Sequence, residues 1–163
     1  MAGHPGARRP CRRPAGRALN AGDRIDRDEV WRLKREALAR LWRRFPGDAR
    51  FDAYRTEHGD SLQGFATFGA LAEHHERGWR TWPQVLQHPD RPAVANFVHE
   101  HADEVAFHAW LQWLLHEQLL AADPHGMLLN DIAVGIDPDG ADGWQWQDIL
   151  ALDVRVGAPP DER

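Results

Sequence analysis

The sequence predicts a mainly α protein with a few short strands close to its C-terminal end. Three observations carry that prediction. Apolar residues recur at three- and four-residue steps through most of residues 25–122. Gly, Pro and Asp stand at the points where such stretches begin and end. Beyond residue 126 the pattern changes to short apolar runs, 127–129 and 132–136, set between loops rich in Asp and Gly.

Residues 1–22 read as a disordered basic leader. Arg8, Arg9, Arg12, Arg13 and Arg17 have no acid among them, and Pro and Gly interrupt the stretch. It has no apolar core of the kind a signal peptide needs, and no run in the chain approaches 18 apolar residues, so nothing is expected to span a membrane. Cys11 is the single cysteine, which excludes an intrachain disulfide and a thiolate metal cluster and gives a cytoplasmic reading. The net charge of −5 argues against nucleic acid as a partner for the chain as a whole.

The first amphipathic helix is expected from about Ile25, with Val30, Leu33, Leu38, Leu41, Trp42 and Phe45 on one side. Asp26 or Asp23 caps it and Pro46-Gly47 stops it. Arg32, Arg35, Glu36, Arg40 and Arg43 form the opposite, solvated face. A short helix over 48–57 follows, ended by His58-Gly59, and then a third helix carries Leu62, Phe65, Phe68 and Leu71. Gly69 inside that stripe either weakens the helix or marks a close helix contact. Trp79, Trp82 and Pro83 form a connector that either packs onto the helices or offers a sugar platform. Residues 92–122 support one long helix or two joined near 101–103, apolar on more than one side. Gln112 and Gln118 sit among those apolar residues, where a buried amide must find partners.

Eight Trp against one Tyr favours an aromatic-rich core or a surface that binds carbohydrate or a partner protein. The stretch 126–161 sharpens the choice. Asp137, Asp139 and Asp142 crowd a loop beside Trp144 and Trp146, and carboxylates with aromatic rings on shaped loops suit a sugar. Asp131 lies between two apolar runs, where a merely solvated acid is unexpected; it either points into a pocket or makes a local cap. Asp161 follows two prolines that fix its direction in advance. Metal readings fare worse. His99 and His101 point about 200° apart on a helix. His108 and His116 lack a third ligand, and a calcium loop counted from Asp137 misses at Ala141, Asp142 and Asp148. No metal and no cofactor are expected.

Three runs in this tail carry a resemblance: Asp131-Ile132-Ala133-Val134, Asp139-Gly140-Ala141-Asp142-Gly143-Trp144, and Gly157 to Asp161 as Gly-Ala-Pro-Pro-Asp. In this order and spacing the chain resembles the amylomaltases, the 4-alpha-glucanotransferases of glycoside hydrolase family 77. Phe107 to Leu114 and Gln118-Leu119 resemble the helix ahead of the strand motif, and the likeness covers about residues 24–161. The resemblance implies a fragment of a (β/α)8 barrel with its helical insertions: residues 23–125 as the helical insertion region and 126–163 as a partial catalytic barrel segment. It implies transfer of alpha-1,4-glucan segments between maltooligosaccharides by a retaining mechanism. Asp131, Asp139, Trp144 and Asp161 would contact or border the substrate. The nucleophile and the acid/base are expected downstream of Asp161, with none of the catalytic residues in this chain, so the chain alone is expected to be inactive. The rival reading is a helical glucan-binding or protein-interaction module without catalysis.

Overall fold

The computed structural model describes residues 13–21, 23–75, 78–122, 135–152 and 154. Six α-helices lie among them: α1 (Arg13–Ala18), α2 (Arg27–Trp42), α3 (Ala49–His74), α4 (Pro92–Glu100), α5 (Ala102–Ala122) and α6 (Ala141–Gln145). Three 3-10 turns, Leu19–Ala21, Trp79–Thr81 and Gln84–Leu86, connect them. There is no strand among the described residues. The expected strand at 127–129 and most of that at 132–136 lie outside them, as do Asp131 and Asp161. No helix among the described residues is long and apolar enough to cross a membrane.

The chain divides into two compact units, Met1–Pro46 and Gly47–Arg163. In the first, residues 13–21, which the sequence placed in a disordered leader, are helical. Pro14 falls in the first turn of α1, where a missing N–H costs nothing, and Arg17 and Ala18 favour helix. α2 forms as its sequence dictates. The Asp26 side chain accepts from the Glu29 N–H at 2.9 Å, and Asp28 and Glu29 place negative charge against the positive end of the helix dipole. The charged face is solvated and self-paired, with Arg40 donating to Glu36 at 2.7 Å. After Trp42, whose ring stacks on Phe45 at 5.7 Å, the chain turns through Gly47 at φ +90°.

In the second unit the two helices expected over 48–57 and 61–72 run on as α3, with a kink at Gly59 (φ 41°, ψ −125°). A backbone at that φ is what glycine supplies most easily, so the His58-Gly59 signal bends the helix instead of ending it. Asp48 caps α3 through the Arg50 N–H at 2.9 Å. Hydrogen bonds from Arg50, side chain first and backbone second, hold the Asp48 carboxyl below the usual carboxylate range.

α3 packs along α5, and α6 sits against α3. The α3 face is made of small residues: Ala66 and Ala70 are fully buried, and a methyl placed on Gly69 would lie 2.7 Å from Nδ1 of His108. Gly69 therefore marks a close helix contact, and its cost in helix propensity is offset by the approach it allows. Residues 107–110 of α5 are buried in unbroken succession, which confirms that this helix is covered on several sides. α4 and α5 are separate helices broken at His101, with Pro92 opening α4.

A second apolar cluster joins Leu71, Trp79, Trp82, Val94 and Trp144, flanked by Phe68, Leu86, Phe97 and Leu152. Trp79 and Trp82 are buried, so the connector packs onto the helices and does not present a platform. Gln118 is exposed, and the buried-amide expectation fails there because α5 is uncovered on that side. Gln112 is half-buried and lines a cavity of about 180 Å³ with Tyr54, His58 and Ser61. Burial pushes the Tyr54 phenol above its ordinary pKa, and the charge of Glu57 adds to that.

Candidate functional site

The segment 137–150 has little regular structure, yet its shape is fixed from residue to residue. Asp137 starts a tight turn: its Oδ1 accepts from the Asp139 N–H and its carbonyl from the Gly140 N–H, both at 3.0 Å. Gly143 packs directly on the Pro138 carbonyl, leaving no room for any side chain.

The connector 78–91 then holds this turn from below. Trp79 Nε1–H donates to the Pro138 carbonyl at 3.0 Å, and Arg80 donates to Asp139 Oδ1 at 2.9 Å while its guanidinium lies 5.1 Å from the Trp79 ring centre. Trp144 Nε1–H donates to the Leu86 carbonyl at 3.0 Å, and the Gln147 amide donates to the Gln87 carbonyl at 2.9 Å. His88 Nε2 and Asp148 Oδ2 are 3.1 Å apart.

Of the four residues singled out in the sequence, two are described. Asp139 is half-exposed at the rim of the turn and ion-paired to Arg80. Trp144 has no exposed surface; its indole is surrounded by Phe68 (5.9 Å) and Trp82 (6.4 Å), so it acts on a ligand only through the loop it anchors. Trp146, two residues on, is 45% exposed.

An open groove of about 660 Å³ runs beside α6, between α3 and the start of α4. Asp60, Gln63 and Gln145 line it together with His88, Trp146 and Asp148, over an apolar floor that includes Val94, Ala95 and Val98. A methyl on Gly64 would meet the Gln145 amide at 2.5 Å, so the glycine leaves the space that this amide occupies along the wall. Carboxylate, amide and indole facing one trough can accept and donate to sugar hydroxyls and cover a C–H face. Asp139 is not among the residues that line it. Sequence reasoning missed Gln63 and Gln145. The available signal was the polar Gln63-Gly64 interruption beside the apolar stripe of α3, whose partner lies some 80 residues on.

Two further groups of side chains bring together atoms able to ligate a metal: His74, His101 and Glu104, and His88, Asp90 and Asp148. His99, weighed in the sequence, belongs to neither.

The sequence pattern of the 4-alpha-glucanotransferases, glycoside hydrolase family 77, matches residues 10–163. The chain belongs to this family. It is 48% identical over 151 residues to the 4-alpha-glucanotransferase of Mycobacterium tuberculosis, covering 86% of this chain and 21% of that protein. The enzyme of the same name from Haemophilus influenzae is 30% identical over 169 residues, 88% of this chain and 24% of the relative. That from Thermus thermophilus is 30% identical over 156 residues, 85% and 31% respectively. The family member described here thus spans less than a third of the length of these relatives.

Proposed function

We propose that this family member serves 4-alpha-glucanotransferase chemistry, the transfer of alpha-1,4-glucan segments between maltooligosaccharides with retention, by supplying groups that hold sugar. The bond-breaking carboxylates come from elsewhere in the family's sequence pattern. The observation that carries this reading is the family match across residues 10–163, joined to a groove whose acids, amides and exposed indole suit a glucan. Helices 23–125 act as an insertion beside the catalytic barrel, and 126–163 contribute a piece of the barrel itself. Asp131 and Asp161 orient sugar hydroxyls at the cleft. Asp139, steered by Arg80, shapes the rim, and Trp144 holds that rim in place from beneath. With an α-glucan as substrate and one cysteine in the chain, the protein works in the cytoplasm.

Incubation with maltotriose tests the division of labour. The isolated chain is expected to release neither glucose nor longer oligomers, and robust disproportionation would overturn it. Titration with maltoheptaose tests the binding. Saturable quenching of tryptophan fluorescence, reduced in Trp146→Ala, is expected; a flat titration into the millimolar range would leave a protein-interaction module as the better account.

A further inference from the structure

We propose that His74, His101 and Glu104 form a three-ligand site for a divalent cation of the zinc class, which ties the end of α3 to the corner between α4 and α5. The three residues come from three elements: the last residue of α3, the break after α4, and the first turn of α5. Glu104 stands between the imidazoles, with Oε2 2.7 Å from His74 Nε2 and Oε1 3.0 Å from His101 Nδ1. All the donor atoms lie within 4.8 Å of one another. A tetrahedral zinc ion with bonds of about 2.0–2.2 Å needs its donors roughly 3.4 Å apart, so small side-chain rotations bring this set onto one ion.

The rings are held for that purpose. Phe97 stacks on His101 at 4.3 Å and 22°, and meets His74 edge-on at 5.2 Å and 90°. The two imidazoles face each other at 4.6 Å and 71°. Packed walls of this kind limit the rotamer freedom that a metal would otherwise have to remove.

The chemistry selects the ion. Two imidazole nitrogens and one carboxylate suit Zn²⁺, Co²⁺, Ni²⁺ or Cu²⁺ and not Mg²⁺ or Ca²⁺, which take oxygen. Side-chain exposures of 29–39% leave the site open to entry and leave a fourth position for water. The rival group at His88 has one imidazole and two carboxylates, Asp90 and Asp148, exposed by 88% and 75%, so its ligands are less constrained.

The test uses the metal-stripped full chain, with Co²⁺ followed by visible absorption and Zn²⁺ by calorimetry. The expected result is a saturable site with a four-coordinate Co²⁺ spectrum, weakened at least about 10-fold in His74→Gln and in Glu104→Gln and unchanged in His88→Ala. Zn²⁺ at about 100 times its Kd should raise Tm by roughly 5–10 °C, with no rise in Mg²⁺ or Ca²⁺. In the wild-type chain, which needs no variant to fold, Zn²⁺ should shift the imidazole resonances of His74 and His101. Absence of saturable binding by the folded chain, equal binding in both variants, or shifts confined to other histidines would each overturn the proposal.

Discussion

Removing the Trp144 indole is the sharpest perturbation the fold offers. The side chain is wholly buried, packs against Phe68 and Trp82, and donates to the Leu86 carbonyl. An indole buries about 150–250 Å², which at about 25 cal/mol per Å² gives an upper bound of roughly 4–6 kcal/mol for its transfer from water. Trp→Ala substitutions in cores cost about 3–5 kcal/mol because the surroundings close only part of the cavity. Both routes agree on about 4 kcal/mol for Trp144→Ala. At about 2–4 °C per kcal/mol for a chain of this size, Tm should fall by roughly 8–16 °C. Trp144→Phe keeps an aromatic ring and loses the N–H, so it should cost about 1–3 kcal/mol, mainly from the acceptor left without its donor.

Urea unfolding followed by far-ultraviolet circular dichroism is the assay, since fluorescence changes with each tryptophan removed. Trp146→Ala is the matched control. That side chain is half-exposed in the groove, so its loss should change stability by less than about 1 kcal/mol while reducing the maltoheptaose response. If Trp144→Ala cost less than about 1 kcal/mol, or less than Trp146→Ala, the assignment of one indole to the core and the other to the groove would be wrong.

Two glycines of α3 should respond to alanine to different extents. Gly69→Ala drives a methyl into the buried His108 ring and should destabilise by about 1–3 kcal/mol despite better helix propensity, whereas Gly64→Ala meets only the flexible end of Gln145 and should stay within about 1 kcal/mol of wild type; chemical denaturation distinguishes them. Gly59→Ala has open space around its new methyl but a φ of +41°, so it should cost about 1–2 kcal/mol through the backbone alone, with the helix content by circular dichroism nearly unchanged. The Glu104 carboxyl is held below its ordinary range, so its contribution to stability is present above the unfolded-chain value of about 4.3 and is lost as pH falls through the lower folded value. In metal-free buffer, the Tm of wild type should therefore fall more steeply than that of Glu104→Gln below about pH 4.5, and parallel curves there would refute the His–Glu clamp.

Most helix boundaries were legible because they are local. Asp26 and Asp48 cap within three residues, Pro92 opens α4, and a break near 101 was one of the two readings the pattern left open. Gly59 was read correctly as an interruption but not as a kink, since only the packing of both halves against one core decides whether a helix resumes. Contacts between distant segments were not legible. Gly69 and His108 lie 39 residues apart, and the periodicity of α3 says that something approaches closely without saying what. The grouping of His74, His101 and Glu104 was hidden for the same reason: the sequence compares histidines on one helix, whereas His74 reaches the other two from another. Tryptophan count alone left core and surface open, and the fold divides them, with Trp79, Trp82 and Trp144 inside and Trp146 at the groove. For the proposed carbohydrate site the loop and its acids were legible, but Asp131 and Asp161 lie outside the described residues and the groove wall is built by pairs that no motif records.

The manner in which 137–150 is tethered has a consequence for a sugar-binding role. The loop's backbone is partly paired within itself, from the Asp137–Gly140 turn to the Trp146–Leu150 bond, and carbonyls left over need partners from elsewhere or remain in water. Here Trp79 caps the carbonyl of Pro138, while Trp144 and Gln147 in return cap those of Leu86 and Gln87. The traffic runs in both directions between the same two segments, and the two indole donors, Trp79 and Trp144, belong to the apolar cluster. Displacing either segment would therefore leave polar groups unmatched on both, which makes the pair move together or not at all. Asp139 inherits that rigidity through Arg80, whose guanidinium rests on the Trp79 ring. An acid fixed in this way loses little freedom when it accepts a hydroxyl, and that is the property a glucan-ordering rim requires.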